Sequence, residues 1–90
     1  MDQLDQYRIF VRVAELGGFT RAAEALGLPK ASVSTAVRRL EAGLGAQLLH
    51  RTTRRVQLTR DGMLFLERCR DLLGEAEELQ ALFREEPRLL

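Results

Sequence analysis

The chain has 90 residues, of which 46% are hydrophobic and 30% charged, and with two prolines and seven glycines it is typical of one small globular domain. Its single cysteine excludes an internal disulfide and a cysteine-based zinc cluster, and with a single histidine a metal site would have to be all carboxylate. We expect no metal and no cofactor. The formal net charge is only +1, the N-terminus carries acids where a signal peptide carries bases, and no apolar run reaches membrane-spanning length, so we expect a cytoplasmic protein.

Two helices are predicted in the first part of the chain. Apolar residues recur at helical spacing over residues 4–16, and Gly17 and Gly18 end this first helix. Thr20 is a suitable N-cap for a short second helix, which ends at Gly27 and whose alanines allow another helix to approach closely. The stripe of the first helix that we expect to be buried comprises Leu4, Tyr7, Phe10, Val11, Val13 and Ala14.

A third helix is predicted over about residues 30–43, with Pro29 at its first position and Gly43 and Gly45 at its end. One side of its helical wheel is apolar and consists of Val33, Val37, Leu40 and Leu44. The opposite side carries Ala31, Thr35, Arg38 and Ala42, with Ser34 and Arg39 on the flanks. A merely solvated face usually mixes glutamate with lysine, whereas small residues and hydroxyls allow a partner to approach the backbone.

The remainder of the chain predicts a hairpin and a long helix. Two strand-like segments, 47–50 and 56–58, flank a basic tip at residues 51–55. Thr59 then caps a helix that begins near Arg60 and ends before Pro87. The apolar residues along this helix form a seam that must be buried. We expect a partner chain to cover the seam, and the alternative is that the helix folds back on the first helix. The seam has the spacing of a coiled coil and comprises Phe65, Cys69, Leu72, Ala76, Leu79 and Phe83.

Positive charge is concentrated in the middle of the chain. Residues 29–60 carry seven basic side chains and one acid, which gives +6, whereas residues 1–28 carry −1 and residues 61–90 carry −4. Binding to phosphates depends on local rather than total charge. The central segment is therefore expected to face a polyanion.

The order of these elements predicts a DNA-binding fold. A short helix, a turn with a glycine and a second helix form a helix-turn-helix, whose second helix lies in the major groove, and an arginine-rich hairpin tip suits the minor groove. We expect a mainly α fold: a winged helix-turn-helix with a three-helix core and a short two-stranded wing, followed by a long C-terminal dimerisation helix. The residues predicted to contact DNA are Thr20, Arg21, Lys30, Ala31, Ser32, Ser34, Thr35, Arg38, Arg51, Thr52, Thr53, Arg54 and Arg55.

Residues 19–62 resemble the N-terminal DNA-binding domain of LysR-type bacterial transcriptional regulators. The residues that carry the resemblance are Ala22-Ala23, Val33-Ser34, Leu40-Glu41, Leu44-Gly45, the wing at 51–55, and Leu58-Thr59 with Gly62. The resemblance implies a homodimer joined by the C-terminal helices and bound to an interrupted palindrome in promoter DNA. Many members begin the recognition helix with Ser-Gln-Pro, and here Lys30 takes the place of that glutamine. Many also carry arginine after the Val-Ser pair, where this chain has Thr35.

The predicted organisation is a DNA-binding domain at residues 1–60, a linker or dimerisation helix at 60–86 and a short tail at 87–90. The effector-binding domain that the family adds is expected to be absent, so a small-molecule effector would act only through that missing part. Some roles stay open: Thr20 is alternatively only a cap, Ser34 is alternatively solvated, and Arg51 alternatively braces the wing by pairing with an acid.

DNA binding has two alternatives from other classes of function. The first is a helical protein-interaction or dimerisation module, in which the basic segment only solubilises the chain. The second is an enzyme, which we do not expect, because the sequence offers no nucleophile and base pair, no metal cluster and no phosphate-binding glycine loop.

Overall fold

The structure is a computed structural model that describes residues 2–51 and 55–85. Within these ranges four helices and one two-stranded sheet occur in the predicted order, which confirms the mainly α, winged helix-turn-helix fold. The elements are α1 (Gln3–Leu16), α2 (Phe19–Leu26), α3 (Lys30–Leu44), β1 (Leu49–His50), β2 (Gln57–Leu58) and α4 (Arg60–Glu85).

The ends of α1 and α2 follow from local hydrogen bonding. Asp2 and Asp5 form a capping box at the start of α1, and Gly17, with φ at 75°, ends the helix in the left-handed conformation. The prediction that Thr20 caps α2 was wrong. The helix begins two residues earlier than that cap implies, at Phe19, whose ring packs against the core. Gly18 is the N-cap and, having no side chain, makes no side-chain cap bond.

The ends of α3 also differ slightly from the prediction. Pro29 is the N-cap rather than the first helical residue, and Gly43 lies inside the helix. The helix ends at Gly45 because this glycine adopts a left-handed φ of 68° and its N–H closes the last turn on the carbonyls of residues 41 and 42. Leu44, predicted to be on the buried side, keeps 44% exposure in that last turn.

Helix α1 lies at the centre of the fold, in contact with α2, α3 and α4. Each fully buried aliphatic or aromatic side chain contributes about 1.5–3 kcal/mol by its removal from water. Ile9 is also buried, although the predicted stripe of α1 omits it. The largest fully buried side chains are Phe10, Val13, Val33, Val37, Leu48 and Leu49.

The sheet is antiparallel, with Leu49 opposite Leu58 and His50 opposite Gln57. Leu49 faces the core and His50 faces solvent. The strands are shorter than predicted. The carbonyl of Leu48 still accepts from the N–H of Thr59 across the hairpin, but the N–H of Leu48 donates to Glu41 instead of to the opposite strand. The tip residues 52–54 lie outside the described residues.

Helix α4 is attached to the segment that precedes β1. Thr59 caps the helix as predicted, since its hydroxyl accepts from the Gly62 N–H at 2.9 Å and donates to the Gln47 carbonyl at 2.6 Å. Gly62 passes so close to this segment that a Cβ atom there would lie 2.0 Å from the Leu48 carbonyl oxygen. The start of α4 therefore has a fixed position against the rest of the fold.

The outer part of α4, about residues 72–85, extends away from the fold. The molecule measures 54 × 26 × 20 Å, and its radius of gyration is 14.8 Å, whereas a compact domain of this length has about 12 Å. Among the described helices, none combines the length and apolar character needed to cross a membrane.

Candidate nucleic-acid interface

The predicted outward face of α3 is exposed. Ala31, Thr35 and Arg38 face solvent, as do Lys30 at the start of the helix and Arg39 on its flank. Ser32 and Ser34 are half-buried at the edges of this face. The other side of the helix is buried through Val33, Ala36, Val37 and Leu40. Helix α3 is therefore held by its apolar side and presents small residues, hydroxyls and cations outward.

A recess of about 270 Å³ lies beside this face, between α1 and α3. Its lining includes Thr35 and Arg39 of α3 and Gln6 of α1. Sequence reasoning missed Gln6, because nothing in the spacing of α1 indicates which polar residue will lie next to α3. It placed Arg39 on the flank of the face but not among the contact residues. The small side chains of Ala31 and Ser32 leave this space open.

A larger recess, of about 530 Å³, lies where the start of α2, the start of α3 and the base of the wing meet. It brings together four residues predicted to contact DNA, namely Thr20, Arg21, Lys30 and Arg55. Helix α2 has no side-chain cap, so its first backbone N–H groups also contribute positive potential here. This combination of charges favours an anion such as a phosphate.

Arg51 braces the wing, which was one of the two roles left open by the sequence. Its guanidinium pairs with the Glu41 carboxylate and lies 5.8 Å from the centroid of the Phe19 ring. Glu41 also accepts hydrogen bonds from the backbone N–H groups of Leu48 at 2.8 Å and Leu49 at 3.2 Å. The start of the wing is therefore fixed to both α3 and α2.

Three other predicted cations, Arg21, Lys30 and Arg38, are not neutralised in the same way. Ion pairs within residues 2–51 and 55–85 include Arg8 with Asp5, Arg12 with Glu15, Arg51 with Glu41, and Arg70 with Glu15, and none of these involves the three cations. Thr52, Thr53 and Arg54, the remaining predicted contacts, lie outside the described residues.

The predicted dimer seam divides into two parts. Phe65 packs edge-on against Tyr7 and Phe10, with ring centroids 5.6 and 5.7 Å apart, and Cys69 is buried in the core at 3% exposure. Cys69 is thus covered within the chain, and Phe65, which is half-buried, packs on α1 as the fold-back alternative predicts. Their part in a dimer interface stays a prediction. The remaining members run along the outer part of α4, where Leu72, Leu79 and Phe83 are 42%, 61% and 76% exposed and Ala76 is half-buried. Sequence reasoning missed three further exposed apolar residues of α4, Met63, Leu64 and Leu82.

The surroundings of Cys69 do not favour thiol chemistry. Burial raises the pKa of the Cys69 thiol to about 11, which keeps it protonated and unreactive. No group of three His, Cys, Asp or Glu side chains in the described part of the chain is arranged to hold a metal ion.

Comparison with known proteins identifies the family. The model of bacterial regulatory helix-turn-helix proteins of the lysR family matches residues 4–63. The HTH-type transcriptional regulator YhjC of Escherichia coli (strain K12) is 48% identical over 86 residues, which cover 96% of this chain and 29% of that protein. An HTH-type transcriptional repressor of Pseudomonas aeruginosa (strain UCBPP-PA14) is 51% identical over 84 residues, which cover 93% of this chain and 26% of that protein. The chain thus spans less than a third of the length of these relatives.

Two solved structures are similar over nearly the whole chain. The BenM DNA-binding domain in complex with benA site 1 DNA superposes with a TM-score of 0.93 at 30% identity, covering 99% of this chain and 100% of that one. The CbnR DNA-binding domain in complex with DNA superposes with a TM-score of 0.87 at 32% identity, covering 96% and 99%. The sequence match, the element order and the shared fold agree, and the chain belongs to the lysR family of bacterial regulatory helix-turn-helix proteins.

Proposed function

We propose that this chain binds double-stranded DNA sequence-specifically, as the DNA-binding domain of a bacterial transcriptional regulator. The observation that carries the proposal is the exposed face of α3, where small residues and hydroxyls lie beside cations that no acid neutralises within the described residues. The relatives named above are transcriptional regulators, and both similar structures contain DNA. Such a domain acts in the bacterial cytoplasm and performs no chemistry on its ligand.

In this proposal α3, over about residues 30–43, enters the major groove. The small side chain of Ala31 allows the backbone to approach the base edges, and the hydroxyls of Thr35, Ser32 and Ser34 donate to or accept from them. Arg38 has the length and the fork of donors needed to reach a guanine or a phosphate. Lys30 offers a single charged group, which distinguishes between bases less selectively than the fork of donors on an arginine.

Phosphates flank the groove on both sides of α3. The recess at the start of α2 suits one of them, because Arg21, Lys30 and Arg55 supply charge and the helix supplies free N–H groups. Thr20, in the first turn of α2, adds a hydroxyl to the same recess. The wing, at residues 51–55, then lies at the minor groove, with Arg54 as its predicted contact and Arg51 chiefly as a brace.

The outer part of α4 joins two chains into a homodimer. Its exposed apolar residues, Leu72, Leu79, Leu82 and Phe83, gain cover when two such helices pack together. Two recognition helices related by a twofold axis read an interrupted palindrome in promoter DNA. A helical interaction module without DNA binding uses the same exposed residues but leaves the basic face of α3 without a role, so we do not favour it.

Binding of the purified chain to the DNA upstream of its own gene, measured by fluorescence anisotropy at several salt concentrations, tests the proposal. Neutralising about six to ten phosphates predicts that log affinity falls with log salt with a slope of about −0.9 per phosphate. Arg38→Glu should weaken binding strongly, whereas the matched control Arg68→Glu, on the exposed side of α4, should not.

Analytical ultracentrifugation of the same samples separates the two functions. A stable dimer with no affinity for DNA, or with affinity that salt does not change, would overturn the proposal in favour of the interaction module. Competition with unrelated duplexes of equal length tests the sequence specificity separately.

A further inference from the structure

One residue of the DNA-facing segment has a charge of the wrong sign for its surroundings. Glu41 is the only acid among residues 29–60, and it lies near the end of α3. A carboxylate there repels phosphates, so charge alone predicts that DNA binding improves when it is removed. Its side chain, however, is only 11% exposed, which means that it is directed into the protein rather than toward a ligand.

The two oxygens of Glu41 connect α3 to the start of the wing. Oε2 accepts from the backbone N–H of Leu48 at 2.8 Å and of Leu49 at 3.2 Å, seven and eight residues away in sequence. Both of these residues are buried, at 1% and 0% exposure, so water does not easily replace the carboxylate as their acceptor. The entry of the chain into β1 therefore depends on this one side chain.

Arg51 extends the same connection to α2. Its guanidinium donates to Oε1 of Glu41, and it lies over the ring of Phe19, the first residue of α2, within the range of a cation–π contact. The carboxylate thus connects α3 and the beginning of the wing directly, and α2 through Arg51. These are the three elements that the proposed function brings against DNA.

We propose that Glu41 is a positioning residue, which holds the wing and the start of α2 in place against the recognition helix so that all three reach the DNA together. The inference rests on the proposed function. Its consequence is that removal of this negative charge weakens DNA binding, the opposite of what charge alone predicts.

Glu41→Gln tests whether removal of the negative charge weakens or strengthens DNA binding. Glutamine keeps the shape and one acceptor but loses the charge that holds Arg51. We expect the affinity for the upstream DNA to fall about tenfold, and further in Glu41→Ala, which leaves two buried N–H groups without an acceptor. The salt dependence should become shallower, since phosphate contacts made by the wing are lost. The matched control is Glu67→Gln, which removes an exposed acid from α4 and should bind as the wild type does.

A second substitution applies if the Glu41 variants do not fold at the temperature of the assay, as judged by circular dichroism. Arg51→Lys keeps the positive charge but lacks the planar fork that pairs with a carboxylate and stacks on a ring. We expect weaker DNA binding at unchanged net charge. Where Glu41→Gln does fold, the effects of the two substitutions should not add in the double variant, because both break the same connection.

The outcomes are distinct. Equal or tighter binding by Glu41→Gln, or wild-type binding by Arg51→Lys where the Glu41 variants do not fold, overturns the inference and leaves the proposed function intact. Absence of DNA binding by the wild type overturns the proposed function itself. Hydrogen exchange without DNA then tests the connection alone: the amides of Leu48 and Leu49 should lose protection in folded Glu41→Ala, which removes the acceptor of both, and retained protection contradicts the connection.

Discussion

In the body of the chain, formed by α1, α2, α3 and the sheet, the larger apolar side chains are mostly covered by other parts of the same chain, whereas those of the outer part of α4 are mostly in solvent. Phe10 has 0% exposure and Phe83 has 76%, although both belong to helices with a regular apolar spacing. The difference indicates that the body folds by contacts within one chain, with Leu66 and Cys69 from the first part of α4 completing its core. The outer part of α4 contributes surface for a partner rather than stability to the single chain.

The largest effect expected is from truncating a buried ring. Phe10→Ala should lower the free energy of unfolding by about 3–5 kcal/mol, because it removes the centre of the core and leaves a cavity. Phe83→Ala should change the unfolding of the monomer little but weaken self-association. Urea unfolding at low protein concentration, with sedimentation at high concentration, measures the two effects separately. Comparable losses of monomer stability in both variants would remove the distinction between the two regions.

A smaller effect on stability is expected at the start of α4, where this helix joins the body. Gly62→Ala should destabilise the chain by about 1–3 kcal/mol, because the new methyl group meets the Leu48 carbonyl and the backbone must move to accommodate it. Gly74→Ala is the matched control on the same helix, since nothing lies within 4 Å of a Cβ there. That substitution should be neutral or stabilise the helix by up to about 1 kcal/mol. Urea unfolding of both variants at low protein concentration compares their stabilities, and equal stability would contradict the close approach at Gly62.

Cys69 tests whether the body covers the first part of α4 as the structure shows. The pKa of its thiol is raised to about 11 in the folded chain, so the folded state keeps its proton at a pH where the unfolded state loses it. Stability should therefore fall as the pH rises from the ordinary thiol pKa of about 9 toward 11, and Cys69→Ala should lose this part of the pH dependence. Thiol reagents at pH 8 should react slowly until urea unfolds the chain; rapid reaction in native buffer would place the thiol at the surface.

The smallest effect is expected at the surface contact between α1 and α4. Arg70 donates to Glu15 at 3.2 Å, but both side chains are at least a third exposed. Glu15→Gln should cost only about 0.2–1 kcal/mol, and less in high salt, because exposed ion pairs are screened. Urea unfolding at low and high salt measures this. A larger loss would mean that the ion pair, and not the packing of Phe65 and Cys69, attaches α4 to α1.

Much of the fold could be predicted because its signals are local. The helical spacing of α1 and α3, the left-handed glycines at 17, 27 and 45, and the Thr59 cap each depend on a few neighbouring residues. The outward face of α3 followed from the same spacing. Small errors arose where a local preference was overridden, as at Thr20, which Phe19 displaced from the cap position by packing against the core.

The rest depends on contacts between distant residues. The seam of α4 has one spacing throughout, and the sequence does not say that α1 covers Phe65 and Cys69 but not Leu79. Likewise, a glutamate in a basic segment gives no sign that it accepts from the N–H groups of Leu48 and Leu49. The sequence did not decide whether Arg51 contacts DNA or braces the wing, because the position of its partner Glu41 is set by the whole fold.

The approach of Gly62 to the Leu48 carbonyl also bears on the interrupted palindrome of the proposed function. Close packing at Gly62 and the two hydrogen bonds of the Thr59 hydroxyl restrict the direction of α4 at its start. The proposed dimer, joined through α4, should therefore hold its two recognition helices at one separation and one rotational phase. B-DNA repeats about every 10.5 base pairs. Insertion of half a helical turn between the half-sites should therefore abolish simultaneous binding, whereas a change of a single base pair should only weaken it.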